Sequence, residues 1–210
     1  MTLGLYRRRN AFTLVELLVV IGIIALLIGI LVPVLSRAWI SARRTTCQAG
    51  LRDLGMRYRI YLSDNRERLP FVNTMPSLTP ALNAFPSIVT VLEGDTPLSP
   101  QSYRCPSDKI ISNDPGAPAG FDTYFDREKS SYQYNAILGN VPWAGKTIHD
   151  FQQDPIGRLQ FPEGKLTLLW VLKDYVPFHG KPNTPGAMNY LFWDMRVGDL
   201  ADEIVATPTP

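Results

Sequence analysis

The chain of 210 residues has only two cysteines and two histidines. So few thiols exclude a disulfide-dense scaffold. Cys47 and Cys105 alone do not make a zinc site, and neither His149 nor His179 has ligand spacing to them. Each histidine therefore reads as a structural or surface residue rather than a base. No Gly-x-Ser-x-Gly elbow is present. The stretch Gly139-Asn140-Val141-Pro142-Trp143-Ala144-Gly145-Lys146-Thr147 puts five residues between its glycines, where a phosphate-binding loop needs four. Pro142 also removes a donor N–H from it. No cofactor is expected. Charge of one sign is lacking too: 21 basic residues stand against 19 acidic ones, a formal net charge of +2, which excludes nucleic acid as a partner without a local patch.

Charge is missing altogether from Leu17 to Leu35, nineteen residues. At about 1.5 Å of rise per residue, a helix of that length just crosses a hydrocarbon layer roughly 30 Å thick. Arg7, Arg8 and Arg9 precede it, and Glu16 is the one charge between Ala11 and Ser36. A carboxylate at the edge of a membrane helix is costly and needs a compensating partner. A plain signal anchor explains the arginines and the apolar run but makes Glu16 an accident. A removable secretory signal, cut near Ser36-Arg37-Ala38, would have an apolar region longer than the usual length of about 7–15 residues. Arg37, Arg43 and Arg44 follow the run as closely as the triplet precedes it, so counting positive charges does not orient it.

Beyond the run, Cys47, Leu51, Leu54, Tyr58 and Leu62 recur at helical spacing and predict a core-facing stripe on a helix reaching about Leu62. Arg52, Arg59 and Arg66 lie off the stripe. Ser63-Asp64-Asn65 and then Pro70 end this helix. Nine prolines between Pro70 and Pro118 argue against long elements there, with a short helix near Ala81 to Glu93. Tyr132 and Tyr134 alternate with polar residues as in a half-buried strand. Leu166 to Leu172 is the strongest strand signal. Met188 to Val197 reads as a second strand, with a turn at Asp194-Met195. From Arg37 to Arg68 eight arginines face three acids, whereas the chain from Leu69 onward carries 10 basic and 15 acidic residues. A basic stalk and an acidic head attract if they meet, and are otherwise two solvated faces. The tail Ala206 to Pro210 is expected to be disordered.

Phe12-Thr13-Leu14-Val15-Glu16, set between the basic leader and the apolar run, resembles the prepilin cleavage signal of type IV pilins and type II secretion pseudopilins. The resemblance implies a cut between Ala11 and Phe12 by a prepilin peptidase, with methylation of the new amino terminus; Ala11 stands where the family usually has Gly. It also implies assembly: the Phe12 amine of one subunit pairs with Glu16 of its neighbour, and Pro33 marks a place where the helix bends or melts. Loss of the leader leaves 18 basic against 19 acidic side chains. Two further runs extend the likeness to a pseudopilin-like subgroup. They are Cys105-Pro106-Ser107-Asp108 and Ser131-Tyr132-Gln133-Tyr134-Asn135, together with Cys47, Leu51, Leu54 and Gly55 on the stalk, where Gly50 replaces an Asn. In that subgroup a His and an Asp-Gly lie nine residues apart. Here fourteen residues separate His179 from Asp194 and Met195 replaces the turn Gly, so a different turn is expected and no role passes to His179.

The implied topology puts Cys47 and Cys105 outside the cytoplasm, as a bridge or as two free thiols. Asp194, Asp199, Asp202 and Glu203 are oxygen donors of the kind calcium takes, but their spacing matches no calcium motif and a solvated acidic face is preferred. The expected fold is α+β: a long amino-terminal helix packed on a small antiparallel sheet with proline-rich loops. The expected organisation is a cleaved leader (1–11), a membrane and assembly helix (12–35), a stalk helix (36–64), a periplasmic head (65–205) and a tail (206–210). The expected function is a non-catalytic filament subunit in the inner membrane. Its partners are lipid, itself, other pilin-like subunits, the peptidase and an assembly platform. The rival reading is a membrane-tethered periplasmic enzyme or ligand-binding head on a plain anchor.

Overall fold

The computed structural model describes residues 13–73, 85–94, 97, 99–109, 120, 122–139, 143–154, 169–181 and 184–199. The leader, Phe12, Asp202 and the tail lie outside them. The chain divides into two compact units, Met1–Ser41 and Ala42–Pro210.

Helix α1 spans Leu14–Asp64. Its start is set by Thr13 and Glu16, which form a capping box: Glu16 Oε2 accepts the Thr13 N–H at 2.8 Å, and Thr13 Oγ1 accepts the Glu16 N–H at 3.3 Å. The helix passes through Pro33. Pro33 has no N–H to give the carbonyl four residues earlier, which belongs to Gly29, so the two soft points fall on one turn. At the carboxy end, the Glu67 N–H reaches back to the Leu62 carbonyl at 2.7 Å. Arg66 and Glu67 both adopt positive φ of 58° there.

Within the second unit, Cys47, Leu51, Leu54, Tyr58 and Leu62 are each at most 1% exposed. The stripe predicted from spacing is therefore the helix's core face. It packs on a four-stranded antiparallel sheet ordered β1 (Tyr132–Tyr134), β2 (Trp170–Asp174), β3 (Tyr190–Phe192) and β4 (Val197–Gly198). Two glycines permit the approach. A Cβ on Gly50 would meet the Ser102 carbonyl oxygen at 2.9 Å, and one on Gly55 would meet Leu191 at 3.0 Å. Fully burying each leucine of the stripe contributes about 1.5–3 kcal/mol. The Tyr58 and Tyr134 hydroxyls, both buried, bond each other at 3.0 Å across this interface.

Short helices complete the head, each opened by a capping side chain where one is present. In α2 (Ile88–Glu93), Ser87 accepts the Thr90 N–H. In α4 (Tyr124–Glu128), Thr123 accepts the Asp126 N–H. In α6 (Ile148–Gln153), Thr147 and Asp150 form a second capping box. Helices α3 (Pro100–Tyr103) and α5 (Ala136–Gly139) are single turns. The mixed α+β architecture is the one expected.

Three local expectations change. The helix placed near Ala81 to Glu93 begins at Ile88, after Pro86, and residues 81–84 lie outside the described residues. The strand expected over Leu166 to Leu172 is Trp170–Asp174, with 166–168 outside the described residues. It runs on past the apolar signal because Lys173 and Asp174 pair with Gln133 and Tyr132 of β1, while Asn189 donates to the buried Asp174 carboxylate. The hairpin does not avoid the left-handed turn: Met195 itself takes φ 69°. The Met195 N–H bonds the Phe192 carbonyl and the Phe192 N–H bonds the Arg196 carbonyl, both at 2.9 Å. That is a three-residue hairpin loop with a bulge at the position where Gly is preferred. Packing of Met195 against the core offsets the strain.

Candidate functional site

The first unit is an apolar surface with one carboxylate at its edge. Every large apolar side chain from Leu14 to Leu35 is 46–79% exposed. Among the described residues this is the one helix long and apolar enough to cross a membrane. Glu16 is held by its own chain, since Oε2 also accepts the Thr13 hydroxyl at 2.8 Å. Sequence reading treated Glu16 as a charge awaiting a partner from outside. The Thr-x-x-Glu spacing was the available signal for this internal one. Ala11 and Phe12 lie outside the described residues, and Pro33 sits in mid-helix.

In the second unit the runs Cys105 to Asp108 and Ser131 to Asn135 are stitched together. Cys47 of α1 is disulfide-bonded to Cys105, with Cα atoms 4.8 Å apart. The Tyr132 hydroxyl donates to the Cys47 carbonyl at 2.9 Å, and the Cys105 N–H donates to Ser131 Oγ at 2.9 Å. Ser131 in turn donates to Asp108 Oδ2 at 2.6 Å, and Asp108 also accepts the Tyr124 and Phe125 N–H groups at 3.0 and 2.8 Å. Asp108 thus caps α4 from a distant loop. Burial still pushes its carboxyl above the usual range, although these three donors pull the other way.

Behind the disulfide lies a buried polar cluster that the sequence did not disclose. Asp174, at the end of β2, accepts the Asn189 N–H at 2.7 Å and the Asn189 side-chain amide at 3.1 Å. Asn189 Oδ1 accepts from Arg44 Nε and Gln48 Nε2 of α1, each at 3.2 Å. His179 Nε2 lies 3.6 Å from Asp174 Oδ2 and 3.7 Å from Cys105 Sγ. The His179 and Asp174 side chains are 1% and 0% exposed. Burial pushes the Asp174 carboxyl up to about 8. Burial first, and the Arg44 charge second, hold the His179 imidazole down at about 4. Both shifts favour the neutral form of each group. Asp174 Oδ1 and His179 Nδ1 have no hydrogen-bond partner among the described residues.

The sequence shows no ligand spacing between either histidine and the cysteines, and the fold brings one of them close. His179 is 74 residues from Cys105 in sequence and beside it in space. The cluster is not a nucleophilic triad. A His that relays a proton uses its two ring nitrogens for two different partners, and here sulfur and carboxylate face the same one. His149 is exposed on α6. Asp194 pairs with Arg196 at 3.4 Å, while Asp199 is buried and accepts the Gly186 N–H. Among the described residues, neither belongs to a group of three convergent metal donors. In the glycine-lysine stretch, the Lys146 ammonium rests over the Trp143 ring at 5.1 Å and Thr147 caps α6. Residues 140–142 lie outside the described residues.

Residues 6–32 match the family model of the prokaryotic N-terminal methylation motif. The chain therefore carries, where the Phe12 to Glu16 resemblance put it, the prepilin-type signal of a pilin- or pseudopilin-type precursor. Such a signal points to a structural subunit rather than an enzyme. No curated protein and no solved structure matches the chain.

Proposed function

We propose that the chain is a structural subunit of a type IV pilus-like or type II secretion pseudopilus filament. It inserts in the inner membrane by residues 12–35, with its head in the periplasm. A prepilin peptidase cuts it between Ala11 and Phe12 and methylates Phe12. The observation that carries this reading is the methylation motif on residues 6–32, lying on a helix whose large apolar side chains are exposed among the described residues. In lipid those side chains are solvated by acyl tails, and in a filament by the same helix of neighbouring copies, so the helix suits both settings.

Glu16 has a role in the transfer between them. In the single chain its carboxylate closes on Thr13, which lowers the cost of carrying it at the membrane edge. In the filament the Phe12 amine of a neighbour is a stronger, charged partner for it. Pro33 and Gly29 provide the turn at which the helix adjusts.

The test is mass spectrometry of the amino terminus together with crosslinking of Glu16→Ala. The expected result is a methylated Phe12 in the unaltered protein, and a variant that is processed and inserted but does not form crosslinked multimers. A protein retaining Met1 to Ala11 refutes the processing. Normal multimers of Glu16→Ala refute the role of the carboxylate.

A further inference from the structure

We propose that Cys47, Cys105 and His179 form a zinc site in the dithiol form of the chain, mutually exclusive with the disulfide. This does not depend on the filament reading.

The argument is one of placement and chemistry. The ligand atoms of the three side chains lie within 4.8 Å of one another. Cys47 and Cys105 are 0% and 1% exposed, and the His179 side chain is 1% exposed. On a tetrahedral zinc with Zn–S near 2.3 Å and Zn–N of about 2.0–2.1 Å, neighbouring sulfur and nitrogen stand about 3.6 Å apart. Cys105 Sγ and His179 Nε2 are 3.7 Å apart, already at that edge length. Two bonded sulfurs cannot both take tetrahedral positions. Once the bond is broken they relax toward non-bonded contact, close to the roughly 3.8 Å that two thiolates on one zinc require. Three protein ligands leave the fourth position of the tetrahedron to water.

The other groups leave the site open. His179 Nε2 has no hydrogen bond of ordinary length to the carboxylate, and Nδ1 has none among the described residues. Thiolate, thiolate and imidazole are a donor set that selects zinc over calcium or magnesium. The same residue types scattered on a surface would carry no such preference for one point in space.

The redox step balances as follows. With a phosphine as reductant, the disulfide, one phosphine and one water give two thiols and one phosphine oxide. Zinc then displaces the two thiol protons, and the bound thiolates are withheld from oxidation until the metal leaves. Disulfide and metal are thus two ways of closing the same stalk-to-head tie, and the availability of oxidant and zinc decides between them.

The test uses the full chain in detergent micelles, reduced with a water-soluble phosphine and titrated with Co2+ and then Zn2+. The expected result is one Co2+ per chain, giving a thiolate-to-metal charge-transfer band and the intense visible absorption of a tetrahedral ion, both bleached by Zn2+. The oxidised chain shows neither band. His179→Ala weakens binding at least tenfold, and Cys47→Ser abolishes the charge-transfer band. If reduction alone loosens the head, one equivalent of Zn2+ restores its near-ultraviolet circular dichroism. Absence of the bands in the reduced chain overturns the proposal, as does His179→Ala binding with unchanged affinity. Failure of Zn2+ to restore a loosened head overturns it too.

Discussion

Breaking the Cys47–Cys105 bond is expected to cost the head about 4 kcal/mol. The bond joins residues 58 apart in sequence. In the chain-entropy treatment, closing a loop of that size removes about 14 cal/mol/K from the unfolded ensemble, or about 4 kcal/mol at 25 °C. That is a large share of the roughly 5–15 kcal/mol by which a domain of this size is stable. The assay is guanidinium unfolding of the full chain in micelles, followed by tryptophan fluorescence, for the unaltered protein, Cys47→Ala, Cys105→Ala and the double variant. Either single substitution breaks the whole bond. The double variant should therefore lose only about 1 kcal/mol more than a single one, for the second buried sulfur. The coupling energy from the cycle should lie close to the bond's full contribution. A single variant losing less than about 1 kcal/mol would refute the reasoning. It would mean that the stripe and the Ser131–Asp108 network hold residues 47 and 105 together in the unfolded ensemble as well.

Other outcomes follow from particular contacts. Tyr58→Phe leaves the Tyr134 hydroxyl buried without its bonding partner, and should cost about 1–3 kcal/mol. Tyr58→Phe with Tyr134→Phe should recover part of that loss, as thermal unfolding of the three variants will show. At position 195, where φ is 69°, Met195→Gly should be more stable than Met195→Ala by about 1 kcal/mol, the reverse of their order in a helix. Equal melting temperatures would count against a left-handed turn. The disulfide-bonded head should also lose stability as pH rises from 6.5 to about 8. His179 falls from its ordinary 6.5 to about 4 and Asp174 rises from 3.8 to about 8, so from about pH 4 to 6.5 folded and unfolded states each hold one proton and the slopes cancel. Above 6.5 only the folded state keeps one, which costs about 1.4 kcal/mol per pH unit, or about 2 kcal/mol over the window. Asp174→Asn should flatten this fall, and an unchanged slope in that variant would remove Asp174 from the account.

Much of the molecule could be read from local pattern. The apolar run, the arginine leader and Phe12 to Glu16 are contiguous, and their meaning depends on order along one helix. The stripe from Cys47 to Leu62 is legible for the same reason, because helical periodicity is a property of neighbours in sequence. The β1 alternation and the hairpin position are similar. Turn geometry at Met195 was less accessible. Residue preference there argues for Gly, and only packing of the methionine against Gly55 and the core shows why the chain accepts a left-handed residue without it.

The amino-acid sequence by itself determined the apolar helix, long enough to cross a membrane, with its prepilin-type signal, the core-facing stripe farther along that helix, and the mixed α+β class. Each is a short-range regularity of apolar and charged residues, so hydrophobic burial acts on it wherever the rest of the chain goes. Only the tertiary structure decided that Cys47 meets Cys105, that Asp108 serves residues 124, 125 and 131, and that Asp174, His179, Asn189 and Arg44 meet in one polar cluster. Those partners come from α1, α4, β2 and the loops between the elements. Their meeting is set by sheet register and by the close approach at Gly50 and Gly55, and neither leaves a spacing in the sequence.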